Sequence, residues 1–312
     1  MIGESATRDR MSIFGYKRKT TPYAEEDKST IIYKNNTTNG INTQPNVRTL
    51  LTGDVPSDKK EINQNLFQVT RMANFHTYVV DNNTFKSKDP LYIIKSQSDL
   101  YINMNGVGQD SHGNTKKIKF DEFALKKIEQ LINSKKQGNN IYLLHLMGSH
   151  PLQNDKYPEE FNKFRSYYDN SILYSDYIIH KSKNTLFLAN EKKSAIVIYI
   201  ADHGVGLPHL PNGEVADNEF KSFGANDRNI TNFHPPLLIW VNNTFIKNNY
   251  KEYKNLIKNT TSPINQRFLL YSISQLIGVE SINKIQTKNF SIFSEESNFE
   301  PLLYTNEKKQ MK

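Results

Sequence analysis

The sequence of 312 residues contains no cysteine, which excludes both a disulfide framework and a thiolate metal site. It also lacks a long apolar run. The most apolar stretch, residues 195–201, falls far short of the roughly 18 residues that a membrane-spanning helix needs, and no signal-peptide pattern opens the chain. Glycine and proline are modest, at 14 and 12 residues against 17 tyrosines and 17 phenylalanines. Such a composition argues against a disordered or low-complexity scaffold and predicts a globular core. No internal repeat is visible.

The charge balance leans one way. Forty Lys and Arg residues against 32 Asp and Glu give a formal net charge of +8, which suits an anionic partner such as phospholipid headgroups or phosphorylated glycans. The lysines are spread through segments such as 17–19, 116–119 and 308–312 without a nucleic-acid-binding motif. Most of them therefore read as solvated surface, and no nucleic acid is expected.

Several segments declare their structure locally. Asn42-Thr43, Pro45 and the spacing of Val47, Leu50 and Leu51 before Gly53 predict a short helix starting at Thr43. Residues 75–80 read as a strand running into the turn Asp81-Asn82-Asn83. The period of Phe123, Ala124, Ile128, Leu131 and Ile132 predicts a helix over 120–133. Residues 141–146 and 195–201 are buried strands ending in Gly148-Ser149-His150 and Asp202-His203-Gly204, with a helix between 169 and 188 separating them. A later strand is expected over 235–241 and a last helix over 266–277. Strands alternating with helices, and polar residues at the strand ends, predict an α/β fold with a doubly wound parallel sheet and a site along one edge.

Asp202, His203, His150 and Glu4 gather the chemistry expected at that edge, since carboxylates and imidazoles make a suitable shell for a divalent ion such as zinc. Singly each has a plainer reading: a histidine after a strand is commonly structural, and Asp-His-Gly can be a simple turn. Thr43 at a helix start places a hydroxyl where free N–H groups favour an anion, although the same residue type also serves there as an ordinary cap.

Separated motifs then connect these residues. Gly3-Glu4-Ser5 with Arg8, the segment Gly15-Tyr16-Lys17-Arg18-Lys19-Thr20-Thr21-Pro22, His145-Leu146-Met147-Gly148-Ser149-His150 with Tyr157-Pro158 and Phe161, the run 168–177, and Ala201-Asp202-His203-Gly204 follow one another in order. In this order they resemble the phosphoethanolamine transferases that modify bacterial lipopolysaccharide, members of the alkaline phosphatase/sulfatase superfamily. The resemblance implies a three-layer α/β/α sandwich with a mostly parallel central sheet, covering residues 1–293 and followed by a polar tail over 294–312. It implies Glu4, Thr43, Asp202 and His203 as ligands of one zinc ion, with room for a second, and Thr43 as the nucleophile. His150 matches a histidine that binds the substrate phosphate or a second metal, and Asn83 a residue that contacts the phosphoethanolamine group. A family lysine corresponds to Lys86 or Lys88.

The implied reaction transfers phosphoethanolamine from phosphatidylethanolamine through a covalent threonine intermediate to lipid A or a core sugar of lipopolysaccharide, with ping-pong kinetics. In the full-length family member it takes place at the periplasmic face of the bacterial inner membrane, and no protein partner is implied. A sulfatase-like hydrolase, a phosphoglycerol transferase or an inactive remnant are the alternatives. Four features depart from the family pattern. The family's membrane domain does not precede Glu4, so most of the strand delivering Glu4 is expected to be missing and the fold to be poorly stable. A family histidine is replaced around Phe223-Gly224, with His209 or His234 as its substitute. Cysteine is absent, and the surroundings of Thr43 differ in detail.

Overall fold

The computed structural model describes residues 1–54, 64–83, 89–104, 108–109, 115–116, 120–134, 137–151, 155–206, 229–282 and 284–299. Seven strands build the main sheet: β1 (Ile2–Gly3), β2 (Ile31–Tyr33), β3 (Phe75–Asp81), β4 (Leu100–Asn103), β5 (Asn139–His145), β6 (Ile196–Ala201) and β7 (Leu237–Val241). Their order is β2-β7-β6-β1-β5-β3-β4. Only β7 runs against the rest; it is antiparallel to both β6 and β2, while the other pairings are parallel. The sheet is thus mostly parallel, as expected, with a reversed strand that its apolar sequence did not disclose.

Side chains that alternate along the strands feed two separate cores, as a period of two requires. Val79, Leu143, Ile200 and Ile239 point to one face and pack with α2 (Thr43–Thr52), α3 (Leu66–Met72), α4 (Pro90–Lys95) and α9 (Phe268–Leu276). Val80, Leu144, Tyr199 and Trp240 point to the other and pack with α1 (Pro22–Glu26), α5 (Asp121–Asn133) and α6 (Tyr167–Ala189). Helices α7 (Asn243–Asn248) and α8 (Tyr250–Lys258) follow β7. The result is an α/β/α sandwich, the fold class expected from the sequence. Past β7 and its helices, Ser294 is buried and Phe299 packs against the first core.

The shortest strand has the most consequential position. Although only Ile2 and Gly3 belong to it, β1 lies between β5 and β6, with Ile2 opposite His145 and Ile200, and Gly3 opposite Ala201. That register places the residues following Gly3 and Ala201, namely Glu4 and Asp202, side by side at the carboxyl edge. Asp81 is paired with His145 in the same way, so its turn opens at the same edge. Parallel strands make this convergence of ends unavoidable.

A candidate metal and nucleophile site

Glu4, Asp202 and His203 offer ligand atoms that all lie within 4.8 Å of one another. Backbone N–H groups fix the Asp202 carboxylate and side chains fix that of Glu4. The N–H groups of Ser5 and His203 donate to Asp202 Oδ1 at 2.9 and 2.7 Å, and the Ser5 hydroxyl donates to Glu4 Oε1 at 2.6 Å. Ser5 takes φ +54°, a left-handed conformation that non-glycine residues rarely adopt, and the Tyr168 hydroxyl donates to its carbonyl at 2.8 Å. Two glycines let the chain close around this turn. A Cβ on Gly148 would stand 3.0 Å from the Glu4 backbone N and O, and one on Gly204 would stand 2.1 Å from the Thr231 carbonyl oxygen.

Thr43 lies on the opposite wall, at the first position of α2. The cap residue is Asn42, and no side chain caps the helix. Thr43 is therefore not spent on the plain capping role open to it from sequence. Its hydroxyl lies 3.1 and 3.3 Å from the two Glu4 oxygens, to which it donates, and 3.5 Å from His203 Nε2. Asn83 completes the cluster, its Nδ2 donating to Glu4 Oε2 at 2.9 Å.

The donor set fits a divalent cation. His203 Nδ1 faces the Gly204 carbonyl at 2.7 Å, and because a carbonyl can only accept, that nitrogen carries the proton and leaves the Nε2 lone pair facing the carboxylates. Asp202 Oδ2 is buried without a hydrogen-bond partner, with His203 Nε2 3.4 Å away, an expensive arrangement for a carboxylate oxygen that a cation held between the two would relieve. Charge tells the same story. Burial and the neighbouring Glu4 push Asp202 up to about 7, whereas Glu4, against the opposing effect of burial, is held below its ordinary value chiefly by His203 and His150. The His203 imidazole is raised, the two carboxylates outweighing its burial.

Of the residues expected at the site, the fold brings together Glu4, Thr43, Asp202, His203 and Asn83. His150 is exposed at the turn after β5, with its Nδ1 3.3 Å from the Pro151 carbonyl, yet it is near enough to act on the Glu4 charge. Lys86, Lys88, His209 and Phe223-Gly224 lie outside the described residues. His234 stands apart from the cluster, its Nδ1 donating to Asp9 Oδ2 at 2.9 Å.

Sequence reasoning missed Ser5 and, behind Asn83, a buried network of Asp81, Lys95 and His145. Lys95 Nζ is 2.6 Å from both Asp81 Oδ2 and His145 Nδ1, and Asp81 Oδ1 accepts the Asn83 N–H at 3.0 Å. A local signal did exist for the element carrying Lys95: Asp89-Pro90 is a helix start, with Asp89 accepting from the Leu91 N–H at 2.9 Å.

The comparisons agree with this architecture. The family model described as Sulfatase matches residues 1–279, and the chain belongs to that family. Within it, the chain is similar to phosphoethanolamine transferases. Phosphoethanolamine transferase EptA of Salmonella typhimurium is 26% identical over 268 residues, covering 78% of this chain and 46% of that protein. The Kdo(2)-lipid A phosphoethanolamine 7''-transferase of the same organism is 24% identical over 279 residues, covering 79% and 44%. The chain thus spans about half the length of the curated relatives it matches, between 42% and 53%. Among solved structures, the C-terminal periplasmic domain of EptC from Escherichia coli superposes with a TM-score of 0.82 at 20% identity, covering 99% of this chain and 89% of that one. The same domain in complex with Zn gives 0.80 at 21%, covering 99% and 88%. No helix among the described residues is long and apolar enough to cross a membrane.

Proposed function

We propose that this chain transfers phosphoethanolamine from phosphatidylethanolamine to lipopolysaccharide, with Thr43 as the nucleophile and Glu4, Thr43, Asp202 and His203 as the ligands of a zinc ion. One observation carries the proposal: an uncapped helix start presents the Thr43 hydroxyl to a buried carboxylate, carboxylate and imidazole set whose geometry and charge call for a cation. When bound there, zinc would supply positive charge and Lewis acidity next to the hydroxyl and the phosphoryl oxygens. Nearness to the relatives named above supports the same donor group and acceptor class.

In the first half-reaction, Thr43 Oγ1 bonds to phosphorus as the bond from phosphorus to the glyceride oxygen breaks. The threonine proton leaves and the departing diacylglycerol oxygen gains one, so the exchange balances. Phosphoethanolamine is then held on Thr43 as a phosphodiester. In the second half, an acceptor hydroxyl or phosphate oxygen bonds to phosphorus and the Thr43 oxygen departs. The Thr43 hydroxyl rests against Glu4 before reaction and Asn83 holds the second Glu4 oxygen, while the exposed His150 is assigned to the substrate phosphate in this proposal. The role extends to a proposal for localisation: the periplasmic face of a bacterial inner membrane, where donor lipid and acceptor meet.

The test is donor choice. Zinc-loaded protein is incubated with fluorescent phosphatidylethanolamine, phosphatidylglycerol and an aryl sulfate ester in parallel. The proposal expects diacylglycerol from phosphatidylethanolamine alone. Preferential cleavage of phosphatidylglycerol or of the sulfate ester would replace it with a phosphoglycerol transferase or a sulfatase.

A further inference from the structure

The segment that follows Glu4 and Ser5 forms a cleft of about 480 Å³ bounded by Arg8, Asp9, Phe14, Tyr16, Lys17 and, from a second segment, Lys34. Both of its walls are tied to the catalytic edge. Arg8 follows Glu4 by four residues, and its guanidinium donates to the Asn36 carbonyl. Asn36 in turn precedes Thr38, whose hydroxyl donates to the Asp202 carbonyl at 3.0 Å. A ligand seated in the cleft is therefore held by segments that also hold Glu4 and Asp202.

The chemistry of the lining is one-sided. Three cations border the cleft, and its carboxylate, Asp9, is already engaged through Oδ2, which accepts from His234 Nδ1 and from the Thr7 hydroxyl, both at 2.9 Å. Lys34 is exposed and makes no ion pair among the described residues. Phe14 and Tyr16 are half-buried aromatics, and Tyr16 is held in place by its hydroxyl, which donates to Asp169 Oδ2 at 3.0 Å, and by the Arg10 guanidinium 5.1 Å from its ring centroid. Between them, Gly15 leaves open space: a Cβ there would meet no atom within 4 Å. Fixed aromatic surface, an open floor and converging cations are the features with which a protein receives a sugar ring bearing negative charge. The cleft thus offers such a group a positively charged surface of its own, separate from the Glu4, Asp202 and His203 cluster.

We propose that this cleft is a subsite for an anionic saccharide, with Arg8, Lys17 and Lys34 receiving the charged substituent and Phe14 and Tyr16 bounding the ring. Resting on the transfer reaction proposed above, the subsite would hold the acceptor while its reacting oxygen approaches Thr43.

The test reads binding and not turnover. The full chain, zinc-loaded and labelled for NMR, is titrated with glucose 1-phosphate, inorganic phosphate and glucose. Saturable shifts of the Gly15 and Lys17 amides are expected with glucose 1-phosphate, with inorganic phosphate and glucose each markedly weaker. Lys34→Glu should weaken glucose 1-phosphate by about ten-fold, the loss of one charge-assisted contact, and raised salt should weaken it further. Lys247→Glu on the exposed side of α7 makes the same change in net charge and should alter binding less than two-fold. Equal affinity for inorganic phosphate would overturn the saccharide assignment, and shifts confined to the surroundings of Thr43, or equal effects of the two charge reversals, would overturn the subsite. Mass measurement of a Thr43 adduct runs separately: saturable binding without an adduct removes the transfer reading and keeps the subsite, while an adduct without binding does the reverse.

Discussion

Replacing Lys95 with methionine should destabilise the protein far more than the change in volume suggests. Lys95 and Asp81 are fully buried, and their charged groups are 2.6 Å apart. Burial raises the cost of ionising Asp81, but Lys95 and His145 overcome it and hold the carboxyl well below its ordinary range; burial likewise depresses Lys95 despite Asp81. Lys95→Met keeps most of the aliphatic stem, so packing is largely retained. What it removes is the ammonium partner of a buried carboxylate that would still be joined to His145 Nδ1, the Tyr101 hydroxyl and the Asn83 N–H. Breaking one side of such a pair costs about 3–5 kcal/mol. In urea unfolding, with a slope of about 3 kcal/mol/M, the midpoint should fall by roughly 1–1.7 M. Adding Asp81→Asn removes the stranded charge, so the double variant should recover at least half of the loss, a coupling that independent sites do not show. Because Asn83 lies two residues from Asp81 and contacts Glu4, zinc affinity should fall along with stability. A cost below about 1 kcal/mol, or simple additivity in the double variant, would refute this reasoning.

Other expectations follow from single contacts. Gly204→Ala puts a methyl 2.1 Å from the Thr231 carbonyl and should cost about 3 kcal/mol or more by thermal unfolding, with loss of bound metal by elemental analysis. Asp176, buried while accepting the N–H groups of Tyr23 and Ala24, is pushed up to about 8 by burial. Its folded value lies above the unfolded one, so the stability of its protonated form is full below about pH 4 and is lost as pH rises toward 8. Asp176→Asn should accordingly flatten the decline in stability between pH 5 and 8; an unchanged slope would show that Asp176 titrates normally. Chelation of zinc should lower the melting temperature by several degrees, since ligand at a hundred times its dissociation constant adds about 2.7 kcal/mol. Asp202→Asn should abolish that difference.

Much of the sheet could be read from local sequence. The apolar runs at 75–80, 141–146 and 195–201 became β3, β5 and β6, and the helical spacing after Thr43 became α2. The three-residue β2 and four-residue β4 carried too little pattern to be noticed. The reversal of β7 shows only in its pairing with β6 and β2, which its own residues do not encode. The same division holds at the site. Asp202-His203 follows directly from a strand end, and Thr43 from a helix start. The Asp81–Lys95–His145 network joins α4 to two strands and appears only when these pack, and Ser5 is marked only by a backbone conformation that sequence does not reveal.

The central claim is that Thr43 carries the phosphoethanolamine. Zinc-loaded protein should be incubated with phosphatidylethanolamine in the absence of acceptor, quenched, digested and sequenced by mass spectrometry. The account predicts one phosphoethanolamine group on Thr43 in the wild type, none in Thr43→Ala, and none after chelation. An adduct that persists in Thr43→Ala, or that maps to another residue in the wild type, would contradict it.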